Sequence, residues 1–297
     1  MTEGRSYGSP LAFRRALTDK LREAAKTSRW SLAELQRQMA YDRLLERLYL
    51  VDDNWVVKGA TALLARDLAV RATIDIDIYR TGAREVAEAE LREAATRDIG
   101  DWFTFQLGPG RMVNDGAGMR IPVTASVGAT IWAEFHVDLV GSDLVMTGQP
   151  EAVPPLARVL MPDVEQHGYR AYPLVDHVAD KFAAMLERYG DLEMPSTRYK
   201  DLVDLVAIVT EASVSADGQG IALASEAKRR GITLPARFDV PDRELWERGY
   251  AAEADRSLLP TARTLDEALA VVRPFIEPLL EGTAVGIWDP MRRLWTD

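Results

Sequence analysis

Residues 74–79 read Ile-Asp-Ile-Asp-Ile-Tyr, and this strict alternation constrains the fold more than any other segment of the chain. Successive side chains of a strand point to opposite faces, so a half-buried strand is expected with Asp75 and Asp77 together on one face. Two bare carboxylates that close repel each other. A divalent cation removes the repulsion, and Mg²⁺ characteristically sits on one or two carboxylates plus the phosphates of a substrate. An isolated Asp-x-Asp pair can equally be a solvated strand face, so the flanking sequence decides. Trp55-Val56-Val57-Lys58 reads as a short strand, Gly59 as a turn and 60–69 as a helical run, before a link with Arg71 and Thr73 leads into the aspartates. A glycine turn between strand and helix offers backbone N–H groups to a triphosphate, and the Thr61 hydroxyl adds a possible donor.

The rest of the chain supplies a frame for this segment. Residues 11–28 and 31–49 read as amphipathic helices, the second opened by a capping box of Ser31 and Glu34. Residues 83–97, rich in Ala, Glu and Arg, predict another helix. Short β-like runs follow at 102–107, 119–127, 131–140 and 169–174. Beyond 175 the pattern is helical, at 176–189, 197–212, 218–230, 242–255 and 264–281, with Pro274 and Pro278 expected to break the last. The expected fold class is α+β: a mixed sheet with helices in the amino-terminal half and a mainly α-helical carboxyl-terminal half. At 297 residues two domains are expected, 1–174 and 175–297.

Composition narrows the chemistry. With no cysteine there is no disulfide framework, thiol nucleophile or thiolate metal site, which fits a reducing compartment. No apolar run approaches a membrane span and the first residues do not resemble a signal peptide, so a cytoplasmic protein with no membrane partner is expected. The net charge of −10 argues against a nucleic-acid partner at first sight. It is unevenly distributed, because residues 1–50 hold ten basic and six acidic side chains. That segment, together with Lys228-Arg229-Arg230 and Arg292-Arg293, is a possible RNA-facing surface, against the usual reading of a charge run as a solvated face.

The order Lys58-Gly59-x-Thr61-Ala62-Leu63, then Arg71-x-Thr73-x-Asp75-x-Asp77, resembles the nucleotidyltransferase superfamily and within it the AbiEii/MenT-type toxins. Asp180-Lys181-Phe182-Ala183-Ala184 is similar to a later Lys-x-x-Ala helix of that family. The stretch with Arg198, Lys200, Asp201 and Asp204 is similar to its Arg-x-Lys-Asp-x-x-Asp helix. The chain departs from the pattern at Ala60, where a second Gly or a Ser is frequent. The matching blocks span about 55–205, and no motif of the family is identified in 1–50 or 215–297.

The resemblance implies a site and a reaction. Asp75 and Asp77 would bind Mg²⁺ (or Mn²⁺), with an NTP as substrate. Lys58, Gly59, Thr61, Arg71, Thr73, Lys181 and Asp201 would contact the nucleotide, and Lys181 and Asp204 would belong to the catalytic set. A further acidic residue from a neighbouring strand is usual in the superfamily. Glu134, His136 and Asp138 share one face of their run, and of these Asp138 is chosen as general base or extra ligand, against the reading of a merely polar strand edge. The implied reaction is transfer of a nucleoside monophosphate from an NTP to the 3′ end of tRNA, blocking translation, by a toxin with a cognate antitoxin. The same chemistry on a protein hydroxyl or small molecule stays open, as does a non-catalytic nucleotidyltransferase-like binding module. Thr73 is also a possible regulatory phosphosite, since a phosphate there would add about −1.5 to −2 charges beside the metal.

Overall fold

The structure is a computed structural model that describes residues 6–68, 71–113, 118–140, 144–162 and 164–297. The chain divides into two compact units. One comprises 1–66, 73–144 and 151–171; the other comprises 67–72, 145–150 and 172–297.

The first unit begins with helices α1 (Pro10–Ala25) and α2 (Leu32–Tyr49), then β1 (Trp55–Lys58), α3 (Gly59–Ala65), β2 (Asp75–Arg80) and α4 (Arg84–Ala95). Strands β3 (Phe103–Leu107), β4 (Arg111–Val113), β5 (Gly118–Val127), β6 (Thr130–Val140), β7 (Glu151–Val153) and β8 (Tyr169–Ala171) complete it. Among the described residues eight strands form one mixed sheet in the order β3-β5-β6-β2-β1-β8-β7, with β4 beside β5. The β2–β6 and β1–β8 pairs are parallel and the others antiparallel. Alternation sets the two faces: Ile76 and Ile78 on β2, Val137 and Leu139 on β6, and Ile121 and Val123 on β5 join one core with Phe13, Leu17 and Leu21 of α1. Each such side chain contributes roughly 1.5–3 kcal/mol on leaving water. The opposite face is left for Asp75, Asp77 and their neighbours.

Helix α2 starts where the capping box places it: Ser31 Oγ accepts from Glu34 N, and the Glu34 carboxylate accepts from Ser31 N at 2.7 Å. Its inner face is unusual in carrying charge. Arg43 and Arg47, one turn apart, converge on Asp101, which is wholly buried. Arg43 Nε lies 2.6 Å from Asp101 Oδ2, and Arg47 Nη1 and Nη2 reach both oxygens at 2.8 and 2.7 Å. Burial alone would raise the Asp101 pKa, but the Arg47 hydrogen bonds and the charges of both arginines outweigh it and hold the carboxyl below its ordinary value. Asp42, on the same helix, accepts from the N–H groups of Leu156 and Ala157, and burial pushes its pKa up to about 7 against those bonds. Two of the ten basic residues of 1–50 are therefore core residues, and the positive surface expected there is smaller than the sequence count implies.

The second unit holds α5 (Leu174–Leu186), the pair β9 (Arg188–Tyr189) and β10 (Met194–Pro195), and helices α6 (Tyr199–Glu211), α7 (Ala216–Arg230), α8 (Arg243–Asp255) and α9 (Leu265–Leu280). A terminal hairpin follows, β11 (Ile287–Asp289) with β12 (Leu294–Thr296). Helix α6 is its centre, buried from Leu202 through Val209 and packed against α5, α8 and α9. The basic run on α7 is not a bare positive patch: Arg229 and Arg230 pair with Glu226, and Arg230 also with Asp180 and Glu187.

Three expectations need correction. Helix α3 ends at Ala65 rather than at 69, residues 66–68 being non-helical and 69 lying outside the described residues. The strand expected over 169–174 stops at Ala171, because Pro173 cannot donate to a ladder and its fixed φ of −53° instead starts α5. Pro274 and Pro278 do not break α9. Pro274 and Ala270, whose carbonyl loses its partner, are both exposed, so the orphaned group is open to solvent.

The buried arginine pair yields a direct test. Replacing Asp101 with Ala leaves two buried guanidinium groups without their counter-charge, a loss of about 3–5 kcal/mol. Urea unfolding of Asp101→Ala should show that drop, and a change below about 1 kcal/mol would mean that the triad does not hold α2 in place.

Candidate active site

Register builds the site in the first unit. On the open face of the sheet, Lys58 of β1 pairs with Asp77 of β2, Asp77 with Asp138 of β6, and Asp138 with Arg120 of β5. Directly paired residues point to the same face, so four adjacent strands present a row of charges: plus, minus, minus, plus. Two residues along, Asp75 pairs with His136. The guanidinium of Arg120 grips Asp138 with both arms, Nε to Oδ1 at 2.8 Å and Nη2 to Oδ2 at 2.6 Å, and reaches Asp75 Oδ2 at 3.5 Å. Its pKa is raised, first by the bond to Asp138 and then by the charges of Asp138, Asp75 and Asp77, against the opposing effect of desolvation.

Gly59 explains why a glycine follows the strand. Its φ is +59°, and a Cβ there would lie 1.7 Å from Asp77 Oδ2 and 2.7 Å from Asp77 Cγ. The Asp77 carboxylate therefore rests against the bare Cα of Gly59, a cradle that a side chain would fill. Thr61 is fully buried, and its hydroxyl donates to the carbonyl oxygen of Asp75 at 3.1 Å, tying α3 to the strand that carries the aspartates. Thr73 Oγ1 donates to the same carbonyl at 3.1 Å and accepts from Asp75 N at 3.3 Å, while Tyr41 Oη donates to the Thr73 carbonyl. Three hydroxyl groups thus fix the backbone where β2 begins.

The residues suit a hard divalent cation. Asp75 and Asp77 offer oxygen donors, the type Mg²⁺ and Mn²⁺ take. Asp75 Oδ1 is buried and accepts no hydrogen bond among the described residues, with His136 Nδ1 lying 3.3 Å away. Among the described residues no group of three His, Asp or Glu side chains is arranged to hold a metal. Asp138 is instead engaged by Arg120.

Lys181, Asp201 and Asp204 gather within the second unit. Lys181 of α5 reaches across to α6, with Nζ 2.9 Å from Asp201 Oδ1 and 2.6 Å from Asp204 Oδ2. Arg198 Nε adds a contact to Asp201 Oδ2 at 3.0 Å. Burial would lower the Lys181 pKa, but the two carboxylates outweigh it and raise it, so the ammonium stays charged. Asp204 is buried completely and its Oδ1 accepts no hydrogen bond among the described residues. Asp201 and Asp204, one turn apart on α6, thereby orient Lys181. Arg71 also belongs to this unit, and its Nε has no hydrogen-bond partner among the described residues.

Sequence reasoning missed Arg120. Alternation from Ile121 to Val127 places Arg120 outward, but only the β5–β6 register puts it opposite Asp138.

A mixed sheet with an Asp-x-Asp strand and a glycine turn beneath the second carboxylate is the arrangement that the sequence resemblance to nucleotidyltransferases leads one to expect. Residues 43–271 match the family model described as nucleotidyl transferase AbiEii toxin, type IV TA system, and the chain belongs to the AbiEii family. No curated protein matches it. Among solved structures it is similar to JHP933 of Helicobacter pylori, with 16% identity, a TM-score of 0.48, and coverage of 83% of this chain and 93% of that one. It is similar also to MenT4, a nucleotidyltransferase toxin of Mycobacterium tuberculosis, with 17% identity, a TM-score of 0.48, and coverage of 90% and 98%. The antibiotic-resistance factor ANT(2″)-Ia matches at 12% identity and a TM-score of 0.33, covering 65% and 95%. The family implies an antitoxin partner, and among the described residues no helix is long and apolar enough to cross a membrane.

The Gly59 cradle is testable. Gly59→Ala should push Asp77 from its place and lower the rate of nucleotidyl transfer by about a hundredfold, the usual effect of misplacing a reacting group by an ångström. The strain of a non-glycine residue at this φ costs only about 1–2 kcal/mol, so the variant should stay folded by circular dichroism. Full activity in folded Gly59→Ala would show that the position of Asp77 is unimportant.

Proposed function

We propose that this nucleotidyltransferase is metal-dependent and transfers a nucleoside monophosphate from an NTP to the 3′ end of tRNA, so blocking translation. The observation that carries the reading is the charge row, in which Asp75 and Asp77 stand on adjacent outward positions of one strand, with an oxygen of Asp75 that accepts no hydrogen bond among the described residues. A bound Mg²⁺ or Mn²⁺ supplies charge neutralisation for the triphosphate and the attacking hydroxyl. Asp75 and Asp77 hold it, positioned by Thr61 and by the Gly59 cradle. Lys58 and Arg71, with the backbone at Gly59, are the proposed phosphate contacts. Lys181, kept charged by Asp201 and Asp204, serves as a fixed positive group for the nucleotide rather than as a base. Asp138 is the proposed third carboxylate, as general base or additional ligand. A cytoplasmic location accords with a tRNA acceptor.

Purified protein should be incubated with Mg²⁺, each labelled NTP in turn, and either total tRNA or total protein. Label at the RNA 3′ end is expected with one or more NTPs, and Asp75→Asn should lower it at least a hundredfold, roughly the scale of losing a group that stabilises transition-state charge. Transfer to protein alone would replace the acceptor, and no transfer with any NTP would sink the reading.

Thr73 carries a second proposal, that an antitoxin acting as a kinase disables the enzyme here. Its hydroxyl is tied to the backbone N–H and carbonyl of Asp75, so a phosphate would remove the donated bond and place about −1.5 to −2 charges beside the aspartates. Thr73→Val should escape neutralisation by the co-expressed antitoxin in a growth assay. Neutralisation as complete as in the native chain would exclude Thr73 as the point of control.

A further inference from the structure

Of the two cations flanking the aspartates, Lys58 is buried, with 8% of its surface exposed, whereas the Arg120 side chain is 42% exposed. Arg120 therefore has room to leave the row and Lys58 does not. Arg120 also touches carboxylates of both outward positions, Asp138 in a two-armed bond and Asp75 at 3.5 Å. A guanidinium in that place does in part what a metal ion does, holding together like charges that would otherwise repel.

We propose that Arg120 is an exchangeable counter-cation of the active site, which holds Asp138 until a divalent ion at Asp75 and Asp77 competes it away and releases Asp138 to the site. This rests on the reading that Asp75 and Asp77 bind the ion. Lys58 and Arg120 set against Asp75, Asp77 and Asp138 leave the cluster one negative charge. With Gln at position 120 it carries two, and Asp138 is available without displacement of a partner. Partial exposure screens the added attraction, so the expected gain in divalent-ion affinity is about tenfold. A residue that merely ties β5 to β6 would lower stability on removal and leave affinity for the ion unchanged.

The test titrates the full chain, without nucleotide, with Mn²⁺, followed by calorimetry and by the loss of the free-ion paramagnetic resonance signal. Arg120→Gln should bind about tenfold more tightly than the native chain, and Arg120→Lys, which cannot make the two-armed bond, should fall between them. In the Asp138→Asn background the same Arg120→Gln change should gain less than about threefold, because no carboxylate is there to be released. An equal gain in both backgrounds would reduce Arg120 to a distant repelling charge and overturn the exchange. Unchanged or weaker binding by Arg120→Gln and Arg120→Lys, with Asp75→Asn still abolishing binding, would overturn the exchange while the metal reading stands. Absence of Mn²⁺ binding by the native chain and by Arg120→Gln would overturn both.

Discussion

Holding three carboxylates on neighbouring positions of two strands is the physical constraint around which the first unit is arranged. Asp77 and Asp138 are directly paired across β2 and β6, and Asp75 lies one alternation away. Like charges placed so oppose the pairing that brings them together. The sheet resolves this by ending the row in cations, Lys58 on β1 and Arg120 on β5. The strand order β5-β6-β2-β1 is thus also a charge order, and the mixed parallel and antiparallel pairing sets it. Moving any one of these strands by a single residue would turn its charge into the core.

The start of β2 is fixed with comparable care. Thr61, Thr73 and Tyr41 direct their hydroxyl groups at the backbone of 73–75, while Gly59 supplies the space that Asp77 occupies. Thr61 and Thr73 thus hold the strand that carries Asp75 and Asp77. Such positioning groups let two partly exposed carboxylates keep one geometry before any ligand arrives. The departure at Ala60 sits easily with this arrangement, because Ala60 is buried against the core and the work at the turn falls to Gly59 and Thr61.

Much of this was legible in the sequence because it depends on local periods. Alternation over 74–79 gave the face of Asp75 and Asp77, the Ser31 and Glu34 pair gave the start of α2, and the spacing of Asp201 and Asp204 gave one helix face. What was not legible depends on register or on burial of charge. Nothing in 118–127 says that Arg120 meets Asp138, since strand pairing is a property of two segments. Arg43 and Arg47 read as surface positives until Asp101 is found beneath them. Pro274 of α9 obeys a general rule that solvent exposure relaxes, and exposure is again not a local property.

The two units treat the same electrostatic problem in opposite ways. In both, a side-chain cation is placed between two carboxylates: Arg120 between Asp138 and Asp75, and Lys181 between Asp201 and Asp204. The difference is access to water. The Lys181 side chain is 7% exposed and Asp204 not at all, so separating them would strand buried charges at a cost of several kcal/mol. The Arg120 side chain is 42% exposed, and water can take up the guanidinium if another cation arrives. A buried triad is a permanent fixture that keeps a lysine charged and still. A half-exposed one can give up its cation to solvent, as the proposed binding of a metal and a triphosphate at this site requires.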